Sequence, residues 1–263
     1  MAVTAHYDTP EAWASGADRV YEALGRAIVE ASPIAFHGRT IADLGAGTGA
    51  TSRAIAAAGG RPLALDLSRL MLAHDRVARP PVVVADITAL PLAGGSVGGA
   101  VAAFSLSHVD DPGGALREAA RITEPGGPIL AGVFAATGVR HEVKTIVESL
   151  ATQRGWTPPP WYLHLKEELE PRVADVDELV RLATAAGLAG VDVTTHEVDA
   201  GLDTVDALVN WRLSGPHMGS FVDGLTTDEL ATLRDEARQA LGAPVQPLRP
   251  AVRILSSVAP APR

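Results

Sequence analysis

The chain has 263 residues, with 22 Lys and Arg against 31 Asp and Glu for a formal net charge of −9, and no cysteine. That length supplies a substantial core and suits one large domain, and the acidic balance without a dense basic run argues against a nucleic-acid partner and for a small-molecule substrate. The absence of cysteine excludes disulfides, thiolate nucleophiles and Cys-ligated metal sites.

The opening stretch, MAVTAHYDTPEAW, has no basic segment followed by an apolar one, and no apolar run approaches the length of a membrane span. The expectation is a cytoplasmic protein without a membrane partner. Asp8 to Glu11 reads as a helix start, after which Trp13, Ala17, Val20, Tyr21, Leu24 and Ile28 recur at helical spacing to about Ala31.

From Arg39 short apolar runs alternate with helical segments. Thr40 to Leu44, Pro62 to Leu65, Val82 to Ala85, Val97 to Phe104 and Ile129 to Phe134 read as strands; Thr51 to Ala58, Ser68 to Val77 and Gly113 to Ile122 read as helices. Strands apolar on both sides and separated by helices predict an α/β fold with a covered parallel sheet. Beyond Phe134 the pattern gives helices over 141–154, Val176 to Ala186, Val205 to Leu213 and Thr226 to Leu241, strands over Val191 to Val198 and Arg249 to Val258, and a proline-stiffened loop at WTPPPWYLHL.

The segment IADLGAGTGA, residues 41–50, fits two cofactor fingerprints. Gly45, Gly47 and Ala50 satisfy the dinucleotide pattern, while Gly45, Gly47 and Gly49 satisfy that of S-adenosylmethionine (SAM) sites. Asp66, ending the second strand, serves the ribose in either case. Asp43 separates them, because a carboxylate before the loop opposes a pyrophosphate and favours the ammonium and sulfonium of SAM. Asp86, in VVVADI, can accept the exocyclic amine of adenine, with the Ile87 amide beside it.

The ordered series Asp43 to Gly49, Asp66, Asp86-Ile87, Leu90-Pro91, Ser105 to Pro112 and Pro125 to Gly127 resembles the class I SAM-dependent methyltransferases of the small-molecule type. The resemblance implies a Rossmann-like, doubly wound seven-stranded sheet whose last strand is antiparallel, with helical cap insertions. It divides the single domain into N-terminal helices (1–38), a SAM-binding core (39–136), cap insertions (137–190 and 202–245) and last strands (191–200 and 249–258). It also implies that Asp43, Gly45, Ala46, Gly47 and Gly49 surround the methionine moiety. Asp66 would take the ribose, Leu67 would pack on adenine, Asp86 and Ile87 would read its edge, and Phe104 would offer backbone to the amino group. S-adenosylhomocysteine would be the product. One departure is Val97-Gly98-Gly99 in the fourth strand, where the family usually carries an Asp.

Of the eleven aromatic residues only Phe104 and Phe134 lie within the core segment. Trp156, Trp161, Tyr162, His164, Trp211 and His217 are therefore candidates for the acceptor site, alongside their alternative as packing residues of the cap. Transfer from a sulfonium needs positioning and, where the nucleophile carries a proton, a base. His108 is the candidate base, with a structural or cofactor-shell role as its alternative. His141 and Tyr7 are weaker candidates for ligand contact. The adjacent Asp110 and Asp111 precede a proline and read as a helix cap, and no metal is assigned. Two other readings remain: a SAM-binding protein that catalyses cyclisation or rearrangement, and an NAD(P)-dependent oxidoreductase.

Overall fold

The computed structural model describes residues 10–75, 80–135 and 141–261, and the chain enters it through α1 (Pro10–Glu30). Val20, Leu24 and Ile28 form one enclosed stripe of that helix, as their spacing requires. They pack with Ile55 of α2 (Ala50–Ala57) and with Ile41, Val101 and Leu130 of the sheet beneath. Tyr7 lies outside the described residues.

The sheet consists of β1 (Thr40–Leu44), β2 (Arg61–Asp66), β3 (Val82–Val84), β4 (Gly99–Ala103), β5 (Pro128–Phe134), β6 (Ala189–Glu197) and β7 (Ala251–Val258), in the order β3-β2-β1-β4-β5-β7-β6. The first five strands run parallel, and β7 is antiparallel to both β5 and β6. This is the seven-stranded doubly wound sheet that the family resemblance implies. Strand order reverses between β1 and β4, so the carboxyl ends of these strands open a crevice where such folds bind ligands.

The fourth strand is shorter than its apolar run. Val97 makes only an isolated bridge with Thr123, and the strand begins at Gly99. A Cβ on Gly98 would come within 2.9 Å of Arg39, and one on Gly99 within 2.9 Å of both Ile41 and the Pro128 carbonyl. The glycines at the departure from the family pattern thus permit close packing where the strand enters the sheet.

One face of the sheet carries α4 (Pro112–Ile122) and α8 (Val176–Ala185), whose Leu116, Ile122, Leu179 and Ala183 meet Leu44 and Leu65. The opposite face carries α1, extended by α5 (Glu142–Thr152), α9 (Val205–Leu213) and α11 (Thr227–Leu241) through Val147, Leu208 and Leu233. Within the stretch 137–190, α5 packs with α1, α9 and α11, whereas α8 packs on the other face of the sheet through Leu179 and Ala183, which recur on one helical stripe. A helix over α10 (Pro216–Asp223) joins the cap; the sequence pattern does not reveal it, since Gly215-Pro216 reads as punctuation. After β2, α3 (Arg69–Ala73) is shorter than the expected Ser68 to Val77, whose last two residues lie outside the described residues.

WTPPPWYLHL is only partly a loop. Pro160 opens α6 (Pro160–His164), a position where the missing N–H costs nothing. The chain continues through a π-helical turn at Leu165–Leu169 into α7 (Pro171–Ala174). Pro171 cannot donate to the helix ladder, and the preceding Glu170 amide reaches back to the Leu165 carbonyl at 2.8 Å. No helix among the described residues is long and apolar enough to cross a membrane.

Candidate functional site

The loop after β1 is held open by its glycines. Gly45 has φ +76°, and a Cβ there would stand 2.4 Å from the Ser105 Cβ. Ser105 Oγ in turn donates to the Leu44 carbonyl at 2.7 Å, tying the end of β1 to the end of β4. Only glycine fits this cradle, and the same absence of a side chain lets a ligand approach the backbone.

Asp66 closes the far side. Its carboxylate accepts the Gly47 amide at 2.7 Å and the Ser68 amide at 2.8 Å, locking the loop to the end of β2. Two carboxylate oxygens offer about four lone-pair sites, so it can also receive hydroxyl donors from a ligand. Asp86 uses Oδ1 for the amide and hydroxyl of Thr88, at 2.8 and 2.7 Å. Its side chain is exposed at the cleft, as is Leu67, which keeps 43% of its surface accessible. An exposed leucine between two carboxylates suits the face of a flat heterocycle.

The cleft is lined by Gly45, Ala46, Gly47, Asp66, Leu67 and, beyond them, Asp86, Ile87 and Phe104. Eight of the ten residues assigned to the cofactor by sequence therefore face one cavity. Asp43 and Gly49 do not line it. Asp43 is enclosed below the loop, where its Oδ2 accepts from Ser52 Oγ at 2.6 Å, and Gly49 precedes the first turn of α2.

A second cavity of about 710 Å³ lies alongside the first. Trp13, Tyr21, Phe104 and His108 line both. Tyr21 stacks with Trp13 at 4.8 Å between ring centroids and meets Phe104 edge-on at 5.5 Å; Phe104 and Phe134 are 4.5 Å apart. These rings form an aromatic collar at the junction. Phe104 adopts φ +60°, which costs a non-glycine residue about 1–3 kcal/mol. Burial, with Glu170 and Tyr162 nearby, raises the Tyr21 hydroxyl pKa well above the usual tyrosine value, so the phenol is neutral.

His108 ends the 3-10 turn Leu106–His108 after β4. Enclosure by protein, and secondarily the charge of Lys166, push its pKa down to about 4. The ring is neutral in the physiological range and able to accept a proton, although its conjugate acid is strong. Asp111, three residues on, caps α4 by accepting the Gly114 amide at 2.7 Å, as its place before Pro112 suggests.

The larger chamber draws on separate cap elements. Trp161, Tyr162, Trp211 and His217 all line it, as does His141. Tyr162 and His217 stack with ring centroids 4.3 Å apart. Trp156 and His164 do not line it: Trp156 is 5% exposed and donates its indole N–H to the His217 carbonyl at 3.2 Å, whereas His164 pairs with Glu168. Trp156 thus supports His217 from behind, and His164 turns toward its own helix. Three contributors escape the sequence reading. Tyr21 is indistinguishable from other members of the apolar stripe of α1, Lys166 lies just past the expected loop in a stretch without a legible pattern, and Arg212 looks like a solvated residue of α9.

A family model described as a methyltransferase domain matches residues 42–131. A demethylmenaquinone methyltransferase of Renibacterium salmoninarum is 32% identical over 176 residues, which cover 64% of this chain and 73% of that relative. This chain belongs to the class I SAM-dependent methyltransferases. The methyltransferase uses SAM as its cofactor. Its fold matches that of a SAM-dependent methyltransferase of Thermotoga maritima, with TM-score 0.56, 18% identity and coverage of 98% and 99% of the two chains. It also matches the 4+2 cyclase SpnF, with TM-score 0.56, 16% identity and coverage of 92% and 81%.

Proposed function

We propose that this methyltransferase acts on an O, N or C nucleophile of a small, partly apolar metabolite held in the larger chamber, as in the biosynthesis of a natural product. The observation that carries the reading is the shared wall: Trp13, Tyr21, Phe104 and His108 border both the glycine-loop cleft and the chamber. A group bound in the first cavity can therefore present an atom to the second.

SAM, when bound, supplies a methyl group on a positively charged sulfur. Asp66 would hold the ribose, Leu67 would cover the adenine, and Asp86 with the Ile87 amide would read its edge. The Asp43 carboxylate, buried under the loop, would favour the cationic ligand electrostatically. The aromatic collar would exclude water from the junction and offer ring faces to a cation. His108, neutral and on both cavities, is the proposed acceptor of a proton from the nucleophile where one must leave.

The acceptor is a neutral or weakly charged molecule with a flat or apolar body, in keeping with Trp161, Tyr162 and Trp211 in the chamber wall. Demethylmenaquinone, named in the relative, belongs in the panel to be tried. The likeness to a cyclase shows that this fold alone does not select methyl transfer. The test is therefore twofold: calorimetry with SAM and S-adenosylhomocysteine, and transfer of a labelled methyl group across a panel of aromatic and polycyclic metabolites. Asp66→Ala and Asp86→Ala should each weaken binding of both ligands about ten-fold or more, consistent with losing charged hydrogen bonds. Unchanged affinity in both variants would refute the cofactor placement, and binding without label transfer to any compound would count against the chemistry.

A further inference from the structure

Within the chamber, Arg212 is out of keeping with its surroundings. It is 6% exposed, ion-paired to Glu148, and one of its Nη2 protons points to the Tyr162 hydroxyl at 3.3 Å. Its Nε, a buried donor, has no hydrogen-bond partner among the described residues. A buried donor left unmade is costly, and Arg212 cannot escape the cost by losing its proton.

Glu148 already balances the guanidinium charge, so what Arg212 still lacks is a hydrogen-bond acceptor. Tyr162 adds to the same requirement: its oxygen accepts from Arg212, which leaves its own O–H to be donated. The ring of Tyr162 is fixed by stacking on His217 and has Lys166 over it at 5.7 Å. Arg212 and Tyr162 both line a chamber with an aromatic wall, whose size suits a single small molecule.

We propose that Arg212 and Tyr162 form an oxygen-reading subsite that selects acceptors carrying a carbonyl or carboxylate group on a flat aromatic body. The proposal rests on the reading of the larger cavity as the acceptor chamber. It adds a specificity determinant to that chamber and assigns no role in the transfer step to either residue.

The experiment uses the full chain saturated with S-adenosylhomocysteine and measures binding of three probes by calorimetry: 2-naphthoate, 2-acetonaphthone and 2-isopropylnaphthalene. The two oxygen-bearing probes should bind about ten-fold or more tightly than the hydrocarbon, as a hydrogen bond from a charged donor implies. Tight binding of naphthoate alone identifies the carboxylate, and tight binding of both identifies any carbonyl oxygen. Arg212→Lys, which keeps a positive charge opposite Glu148 but removes the Nε donor, should reduce the preference to within about two-fold. Tyr162→Phe leaves the Arg212–Glu148 pair in place and should reduce it several-fold, which keeps the test intact where the buried lysine variant fails to fold. Equal affinity for all three probes, no binding of any, or a preference that survives both substitutions would overturn the proposal. Binding of S-adenosylhomocysteine to the same samples is read separately, so failure of the cofactor reading is distinguished from failure of the subsite.

Discussion

At the scale of single residues, charge placement explains more than contact. Asp43 lines neither cavity, yet on the proposed reading the charge of this buried carboxylate beneath the loop favours a cationic ligand over a pyrophosphate. Asp43→Asn keeps an acceptor for Ser52 Oγ and removes the charge. It should lower affinity for SAM by a few-fold more than affinity for S-adenosylhomocysteine, whose sulfur is uncharged, since one charge a few ångströms away contributes on the order of 1 kcal/mol where water screens the pair at a dielectric of about 80. Paired calorimetric titrations check this, and an equal loss for both ligands would contradict it. His108 gives a second prediction through linkage. Its pKa is about 4 in the folded protein against an ordinary 6.5, so between those values the unfolded chain holds more protons and stability rises with pH. The contribution is fully present above about 6.5 and is lost as pH falls toward 4. Urea midpoints at pH 7 and pH 4.5 should differ less in His108→Asn than in the parent protein.

Single residues also show where sequence reading stops. Asp66, Leu67, Asp86 and Ile87 line the cleft where they are expected, because each ends or follows a strand whose pattern is local. Trp156 and Trp161 are equivalent in sequence terms, five residues apart in one proline-rich stretch, yet one is enclosed behind His217 and the other lines the chamber. Only the packing of α10, itself hidden by Gly215-Pro216, separates them. Arg212 carries the same lesson, because a charged residue on a helix reads as solvated until the partner Glu148, sixty-four positions away, is brought against it.

At the scale of elements, the strands and long helices follow from periodicity, while the strained turns follow from contacts that no local pattern contains. The span of β1 coincides with its apolar run, and α9 with its helical pattern. The π-helical turn between α6 and α7, LKEEL, follows the proline-rich stretch and carries no local signal of its own, although such turns recur at functional sites. Gly45→Ala places a methyl group on Ser105 and asks an alanine to hold φ +76°. It should destabilise the fold by about 1–3 kcal/mol and abolish detectable SAM binding. Adding Ser105→Gly removes the clash but not the strain, so the double variant should recover part of the stability in a denaturant titration. By contrast α11 lines neither cavity, and its start is fixed by a capping box between Thr226 and Glu229. Thr226→Ala should cost about 1 kcal/mol of stability with SAM affinity unchanged.

At the scale of the molecule, the architecture separates two tasks. The parallel strands and their carboxyl-end loops build a cleft from segments that carry family-like motifs, whereas the chamber is assembled from α1, the α6 to α7 segment, α9, α10 and the approach to β7. On the proposed reading the acceptor is not encoded in any motif, since no one stretch of chain holds the chamber and its wall is assembled from distant segments. The aromatic collar is where the two meet. A crystal structure of the protein with S-adenosylhomocysteine tests this arrangement most directly. Adenine should lie between Leu67 and Asp86, the ribose at Asp66, and the sulfur at the collar of Tyr21, Phe104 and His108, facing the larger chamber. A sulfur turned away from the chamber, or a ligand bound outside the glycine-loop cleft, would contradict it.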